Sequence, residues 1–292
     1  MTNKLYITVF TPTFNRAELL TRLYESLCKQ KYKYFEWVIV DDGSTDRTEE
    51  TIQQFEHHFF PIRYYFKENG GKHSAINLGL TKAKGEAFFI ADSDDMLLPE
   101  SLERVSKVFS EIAENESFAG VCGLDIDLAG KIIGEGLPDD VIDSNSMDIR
   151  TKHHVKGDLK EVFKTKILKE YSFPVISGEK FFPELYLWNR IATKYKLRYF
   201  NQPIYMVEYQ STGLTASIIR IRMRSPIASM MTYSDLVKMP YPILYKLRAA
   251  INYWRFWCCH QRGKTYPHID KRWIWTFPLG YVLHLADLRR VK

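Results

Sequence analysis

Cysteine is scarce, with four residues in 292, at positions 28, 122, 258 and 259. Their spacing matches neither a zinc-ligand pattern nor a disulfide framework, so reduced thiols are expected, Cys28 in a helical pattern and Cys122 in a strand pattern. No apolar run reaches the roughly 18 residues that span a bilayer. The nearest, residues 273–286, is interrupted by Thr276, Pro278, Gly280 and His284. Residues 1–16 contain no h-region and no small-residue cleavage site, so a secretory signal is not expected and a cytoplasmic setting is. No G-x-G-x-x-G follows the first strand-like run, and no G-x-x-x-x-G-K-[ST] occurs, which weakens a dinucleotide-binding or P-loop reading. Internal repeats and low-complexity segments are also missing.

The composition present is that of a globular chain, at 45% hydrophobic and 26% charged residues, which excludes a mainly disordered or fibrous protein. The net charge of +6 hides a split. Residues 220–292 hold 14 basic and 3 acidic residues, a net of +11, and 12 of the 42 aromatics, including 4 of the 6 Trp. Residues 1–219 carry a net of −5. A basic, aromatic tail behind an acidic body points to an anionic partner: nucleic acid, a membrane surface or a protein.

Strand and helix patterns alternate over the first 127 residues. Strands are expected at 5–10, 37–40, 62–66, 87–91 and 118–124. Helices are expected at 17–30, from Thr45 with Ser44 or Thr45 as cap, at 74–83 and after Pro99. That alternation implies a doubly wound, mainly parallel α/β sheet. Beyond it, 155–169 and 185–195 read as helices and 197–200 and 204–209 as strands. The tail from about 218 reads as helical, with breaks at Pro226, Pro240, Pro242, Pro267 and Pro278.

Ligands of such a sheet bind beyond the carboxyl ends of its strands. Those ends carry Thr11, Pro12, Thr13, Phe14 and Asn15; then Asp41, Asp42 and Gly43; then Asn69, Gly70, Gly71 and Lys72; then Asp92, Ser93, Asp94 and Asp95. Three carboxylates within four residues repel one another, and Mg²⁺ or Mn²⁺ relieves that repulsion through oxygen ligands. A solvated acidic turn is the alternative, disfavoured by the company of the other strand ends. Asp42 can accept from a base or ribose, and Phe14 can stack on a base or pack in the core.

These residues carry a resemblance. Thr11 to Asn15, Val38 to Ser44, the spacing of Asn69, Gly71, Ala75, Asn77 and Gly79, and Ala91 to Asp95 resemble the motifs of family 2 inverting glycosyltransferases of the GT-A fold, in order and spacing. The resemblance is specific over residues 4–110, weaker to about 215, and does not reach the tail. It implies a GT-A, Rossmann-like domain over 1–217, with a nucleotide-sugar half at 1–127 and an acceptor half at 128–217. Residues 218–292 would be a helical, basic-aromatic extension.

The resemblance implies that Thr11, Pro12, Thr13, Phe14, Asp42, Lys72, Asp92 and Ser93 bind the nucleotide of a nucleotide-diphosphate sugar, expected to be a UDP-sugar. Asp94 would hold Mn²⁺ or Mg²⁺, with Asp95 a weaker ligand. The family's base lies six residues before the Arg of a Trp-x-Arg helix, which here gives Glu184, with Glu179 as the alternative. Relatives often have a metal-side His in the loop matching 209–215; Thr212 stands near that place. On the acceptor side, Trp188 would stack on a sugar or serve the core, and His154 would contact the acceptor.

Acceptors expected by resemblance are glycans or lipid-linked sugars in surface polysaccharide (capsule or lipopolysaccharide) synthesis at the inner face of the membrane. That context favours peripheral contact of 220–292 with anionic lipid over nucleic acid, with packing on the body or homo-oligomer contact as the alternative use of the aromatics. Two rival functions are a nucleotidyltransferase, which typically has a Gly-rich basic loop lacking at residues 11–16, and an inactive sugar-nucleotide-binding protein.

Overall fold

The computed structural model describes residues 4–56, 58–208, 217–260, 263 and 265–290. The chain divides into two compact units: residues 1–172 with 194–208, and residues 173–193 with 209–292.

The first unit runs β1 (Ile7–Thr13), α1 (Ala17–Cys28), β2 (Phe35–Asp41), α2 (Thr48–Gln53), β3 (Ile62–Phe66), α3 (Lys72–Lys82), β4 (Ala87–Ile90), α4 (Ser101–Ser110) and β5 (Phe118–Ile126). It continues through β6 (Val141–Ser144), α5 (Asp148–Thr151), β7 (Leu159–Lys164), α6 (Thr165–Leu168) and β8 (Lys196–Met206). One eight-stranded sheet has the order β3-β2-β1-β4-β7-β5-β8-β6. Strands β3, β2, β1 and β4 are parallel neighbours, as are β5 and β8, whereas β7 and β6 run antiparallel to theirs. Strands β1, β2 and β4 are buried along their whole length, which is why they read as continuous apolar runs. Helix α1 lays Leu20, Leu23 and Leu27 onto that sheet at helical spacing.

Two expectations are corrected. Residues 155–169 are not one helix, because β7 occupies 159–164 between β4 and β5. Val155, Leu159, Val162, Phe163 and Ile167 mimic a helical stripe, but Val162 and Phe163 are buried on opposite sheet faces. Lys164 disguises the strand further. It is buried, and its Nζ donates to the carbonyls of Ile112, Ala113 and Asn115 at 2.8, 3.0 and 2.8 Å. The second correction is that 197–200 and 204–209 are not two strands. Residues 197–200 and 204–206 belong to one strand, β8, which ends at Met206 and whose register against β5 slips between Cys122 and Asp125, absorbing residues 200–202 as an irregularity; Tyr209 lies outside the described residues.

The second unit holds α7 (Leu185–Ala192), α8 (Ile218–Arg224), α9 (Pro226–Leu236), α10 (Ile243–Trp257), a 3₁₀ turn (Lys271–Thr276) and α11 (Phe277–Arg290). Ile227, Met230, Leu236, Ala249, Ala250, Tyr253 and Phe256 form its core. Pro226 and Pro278 sit in first turns, where a missing N–H costs nothing, and Pro242 precedes α10.

Candidate active site

The ends of β1 and β2 are tied together. Asn15 adopts φ +50°, a left-handed conformation that Asn tolerates. Its Oδ1 accepts from the Thr45 N–H and its own N–H donates to Ser44 Oγ, both at 2.8 Å. Asp46 accepts from the N–H groups of Ala17 and Thr48 and from the Thr48 hydroxyl. Asp46, rather than Ser44 or Thr45, therefore satisfies the first amide of α2, that of Thr48, and the Ala17 amide of α1 as well. Thr11 and Pro12 are buried, and Thr11 Oγ1 accepts from Trp37 Nε1 at 2.8 Å. Thr13 Oγ1 is buried without a hydrogen-bond partner. Phe14 is 46% exposed, so it is not a core ring.

Asp42 shapes the next loop. Its Oδ1 accepts from Lys67 Nζ at 2.6 Å and from the Gly70 N–H at 2.9 Å, and its Oδ2 accepts from the Gly71 N–H at 2.6 Å. Gly71 sits at φ +91°, where a side chain would be strained. A carboxylate has about four acceptor positions, so three bonds leave room for one more donor. The loop delivers Lys72 as the first residue of α3, and its Nζ lies 2.6 Å from Asp92 Oδ1.

Beyond β4, the backbone N–H of Asp92 donates to the Tyr205 hydroxyl at 2.6 Å, and that of Asp95 to the Asp92 carbonyl at 3.1 Å. Ser93 is buried in this turn. Burial opposes ionisation of Asp92, but the Lys72 and Lys160 ammoniums outweigh it and hold the carboxyl below its ordinary range. Asp94 moves the other way, raised by burial and then by the Asp92 charge. Asp95 is pushed up to about 7 by burial and the same charge. Its Oδ1 accepts from the Glu208 N–H at 3.1 Å.

Three neighbours were not singled out from the sequence. Asp125, one residue before the end of β5, stands opposite Tyr205 of β8, is buried, and has an Oδ1 without a hydrogen-bond partner. Lys160, at the start of β7, stands opposite Gly123 of β5 and places its Nζ 3.6 Å from the centre of the Tyr205 ring. Burial pushes Asp125 up to about 8, against the pull of Lys160. Asp125 was findable as another acidic strand end; Lys160 was hidden by the helix-like spacing around it. Between roughly pH 4 and 8 the unfolded chain has released the Asp125 proton and the folded chain keeps it, so stability falls as pH rises through that window. Asp125→Asn removes this titration. Its melting temperature should exceed that of the unsubstituted protein at about pH 9, with the gap narrowing towards about pH 5. Thermal melts followed by circular dichroism check this, and a gap independent of pH would refute it.

The donor set fits a hard divalent cation. Crowded, partly desolvated carboxylates at Asp92, Asp94 and Asp95 resist ionising together until a cation compensates them. Among the described residues, no three His, Cys, Asp or Glu side chains form a metal cage by themselves. Mg²⁺ is usually held by one or two carboxylates and completed by a ligand's phosphates.

The remaining candidates have their own settings. In the first unit, His154 is exposed at φ +56° after α5. In the second unit, Glu184 precedes α7, its carbonyl accepting from the N–H groups of Leu187 and Trp188 at 2.9 and 3.2 Å. Trp188 is buried. Glu179 is buried and caps α9: its two carboxylate oxygens accept from the N–H groups of Ile227 and Ala228, each at 2.8 Å. The loop containing Thr212 lies outside the described residues.

Residues 8–119 match the family model Glycosyl transferase family 2. Over those residues the chain is similar to family 2 glycosyltransferases. A Campylobacter jejuni GalNAc(5)-diNAcBac-PP-undecaprenol beta-1,3-glucosyltransferase is 30% identical over 190 residues, covering 62% of this chain and 58% of that protein. Matches to three uncharacterised Rickettsia glycosyltransferases span only 25–36% of those proteins' length. Two solved structures share the GT-A fold of this chain. S. aureus TarS 1-349 in complex with UDP-GlcNAc has a TM-score of 0.62 at 18% identity, over 88% of this chain and 74% of that one. The Pyrobaculum calidifontis mannosyltransferase PcManGT, in complex with GDP-Man and Mn²⁺, has a TM-score of 0.58 at 18% identity, over 100% and 77%.

Proposed function

We propose that this protein transfers a sugar, with inversion, from a nucleotide-diphosphate sugar to a hydroxyl of a glycan or lipid-linked acceptor. The observation that carries the reading is the carboxylate cluster Asp92, Asp94 and Asp95 at the end of β4, beside Lys72 and the Asp42-organised loop. The donor is a UDP-sugar in this reading, as in the TarS complex, and the acceptor resembles the undecaprenol-linked one named for the Campylobacter relative. The work would take place at the inner face of the membrane, in surface polysaccharide synthesis.

Phe14 stacks on the base, and Asp42 accepts one base N–H through its remaining acceptor position. Asp92 meets the ribose. Lys72 approaches the phosphates, for which it exchanges its Asp92 contact. Asp94, with Asp95 in support, would hold Mn²⁺ or Mg²⁺. When bound, that ion supplies charge neutralisation for the departing diphosphate. The acceptor oxygen attacks the anomeric carbon as the bond to the diphosphate breaks, and the acceptor proton passes to Glu184 as general base. Glu184 is preferred to Glu179 on its place six residues before Arg190; the Glu179 carboxylate accepts from the Ile227 and Ala228 amides at the start of α9.

Binding tests the nucleotide half directly. With Mn²⁺ present, excess UDP should raise the melting temperature, by about 2.7 kcal/mol of added stability at a hundred times Kd. Asp42→Ala should abolish that rise. A protein insensitive to every nucleoside diphosphate under these conditions would contradict the reading.

A further inference from the structure

Helix α11 is built inside out. Beyond Phe277, which packs edge-on against Trp254 and Trp257 of α10, its inward arc carries Gly280, His284 and Asp287, and its outward arc carries Leu279, Tyr281, Val282, Leu285 and Leu288. A surface helix ordinarily shows the reverse arrangement. Together with Trp275 of the preceding turn, the outward arc makes a continuous apolar strip, on which Trp275 and Val282 are each 62% exposed.

Three contacts with α10 and the residues just after it fix that orientation. Gly280 packs so closely that a Cβ there would lie 2.5 Å from Trp254 Cβ and 2.6 Å from the Ile251 carbonyl oxygen. The buried Asp287 carboxylate accepts from Arg255 Nε and Nη2 at 2.5 and 2.6 Å. His284 Nδ1 lies 3.4 Å from Cys259 Sγ. Rolling the helix to hide its apolar arc would break the Arg255–Asp287 pair and drive a side chain into α10. The apolar strip therefore stays outside.

We propose that α11 and the turn before it form an in-plane anchor on an anionic lipid bilayer. The docking concerns the second unit alone and stands independently of sugar transfer. At ~1.5 Å per residue, α11 is about 21 Å long, short of the ~30 Å hydrocarbon core. Among the described residues no helix is long and apolar enough to cross a membrane. Lying in the interface, α11 buries its leucines and valine in the acyl boundary, while Trp275 and Tyr281 sit at headgroup level. The occupant is selected by charge. Lys271 and Arg272 before the strip, and Arg289 and Arg290 after it, are all exposed. A second copy on the same face would bring these cations towards their own equivalents, whereas anionic lipid neutralises them.

Cosedimentation of the full chain with vesicles decides this. It should bind vesicles of phosphatidylcholine with phosphatidylglycerol, and bind phosphatidylcholine alone much more weakly. The double substitution Val282→Glu and Leu285→Glu should weaken vesicle binding at least about tenfold, with an unchanged melting temperature. Lys271→Ala with Arg272→Ala should give a smaller loss that added salt reproduces. Wild-type binding by the double Glu variant would overturn the proposal. So would light scattering that shows a dimer for the unsubstituted chain and a monomer for that variant, with no vesicle binding by either.

Discussion

Asp94→Ala is expected to lower kcat/KM for sugar transfer by about 10³-fold or more, a loss of ~4 kcal/mol of transition-state stabilisation. The proposed role of Asp94 is to hold the ion that neutralises a departing diphosphate, an effect worth several kcal/mol. The same substitution should leave folding intact or strengthen it. Asp94 is held above its ordinary carboxylate range by burial and by Asp92. A carboxyl raised in the folded state weakens folding at every pH above its unfolded value, so deleting it removes a penalty at neutral pH. Added Mn²⁺ should then stabilise the unsubstituted protein and not the variant. Lower activity with a lower melting temperature would instead mark Asp94 as a structural residue.

Glu184→Gln should reduce transfer by about 10²- to 10⁴-fold, the usual contribution of a positioned general base. Stabilisation by UDP and Mn²⁺ should persist, because the nucleotide contacts are untouched. The bland role for Glu184 is a favourable charge at the start of α7, worth about 0.3–1 kcal/mol. That role predicts a small fall in melting temperature and near-normal turnover, so the two readings differ by orders of magnitude in one measured quantity. Glu179→Gln is the control. Losing charge-assisted bonds to Ile227 and Ala228 should cost about 2 kcal/mol of stability. If Glu179→Gln silences transfer without destabilising the protein, and Glu184→Gln does not, the base assignment moves to Glu179.

The first half of the fold was legible because buried parallel strands and amphipathic helices leave periodic signals. Strands β1 to β5 and the helices between them fall where those signals lie, within a few residues. Strand β7 was not legible. Its Lys160, Glu161 and Lys164 look like a helix's polar face, and only the structure shows Lys164 satisfied by three carbonyls inside the protein. The site divides in the same way. The acidic and glycine-rich strand ends announce themselves because loops at those ends carry ligand chemistry. Lys160 and Tyr205 belong to strands from the irregular second half, so their approach to Asp92 and Asp125 depends on pairing that no local pattern encodes. The capping role of Glu179 was hidden for a similar reason, since the amides it serves lie 48 and 49 residues away. The basic, aromatic tail gave its composition away but not the inverted orientation of α11, which depends on Gly280 and Asp287 facing α10.

In the proposed function, the carboxylates after β4 support metal-dependent transfer from a sugar nucleotide. Release of nucleoside diphosphate from a panel of sugar nucleotides tests it most directly, measured with Mn²⁺, with a chelator, and with the Asp94→Ala variant. The unsubstituted protein should release nucleoside diphosphate from at least one donor, and both the chelator and the substitution should abolish that release. Release that survives both treatments, or no release from any donor, would contradict the proposed function.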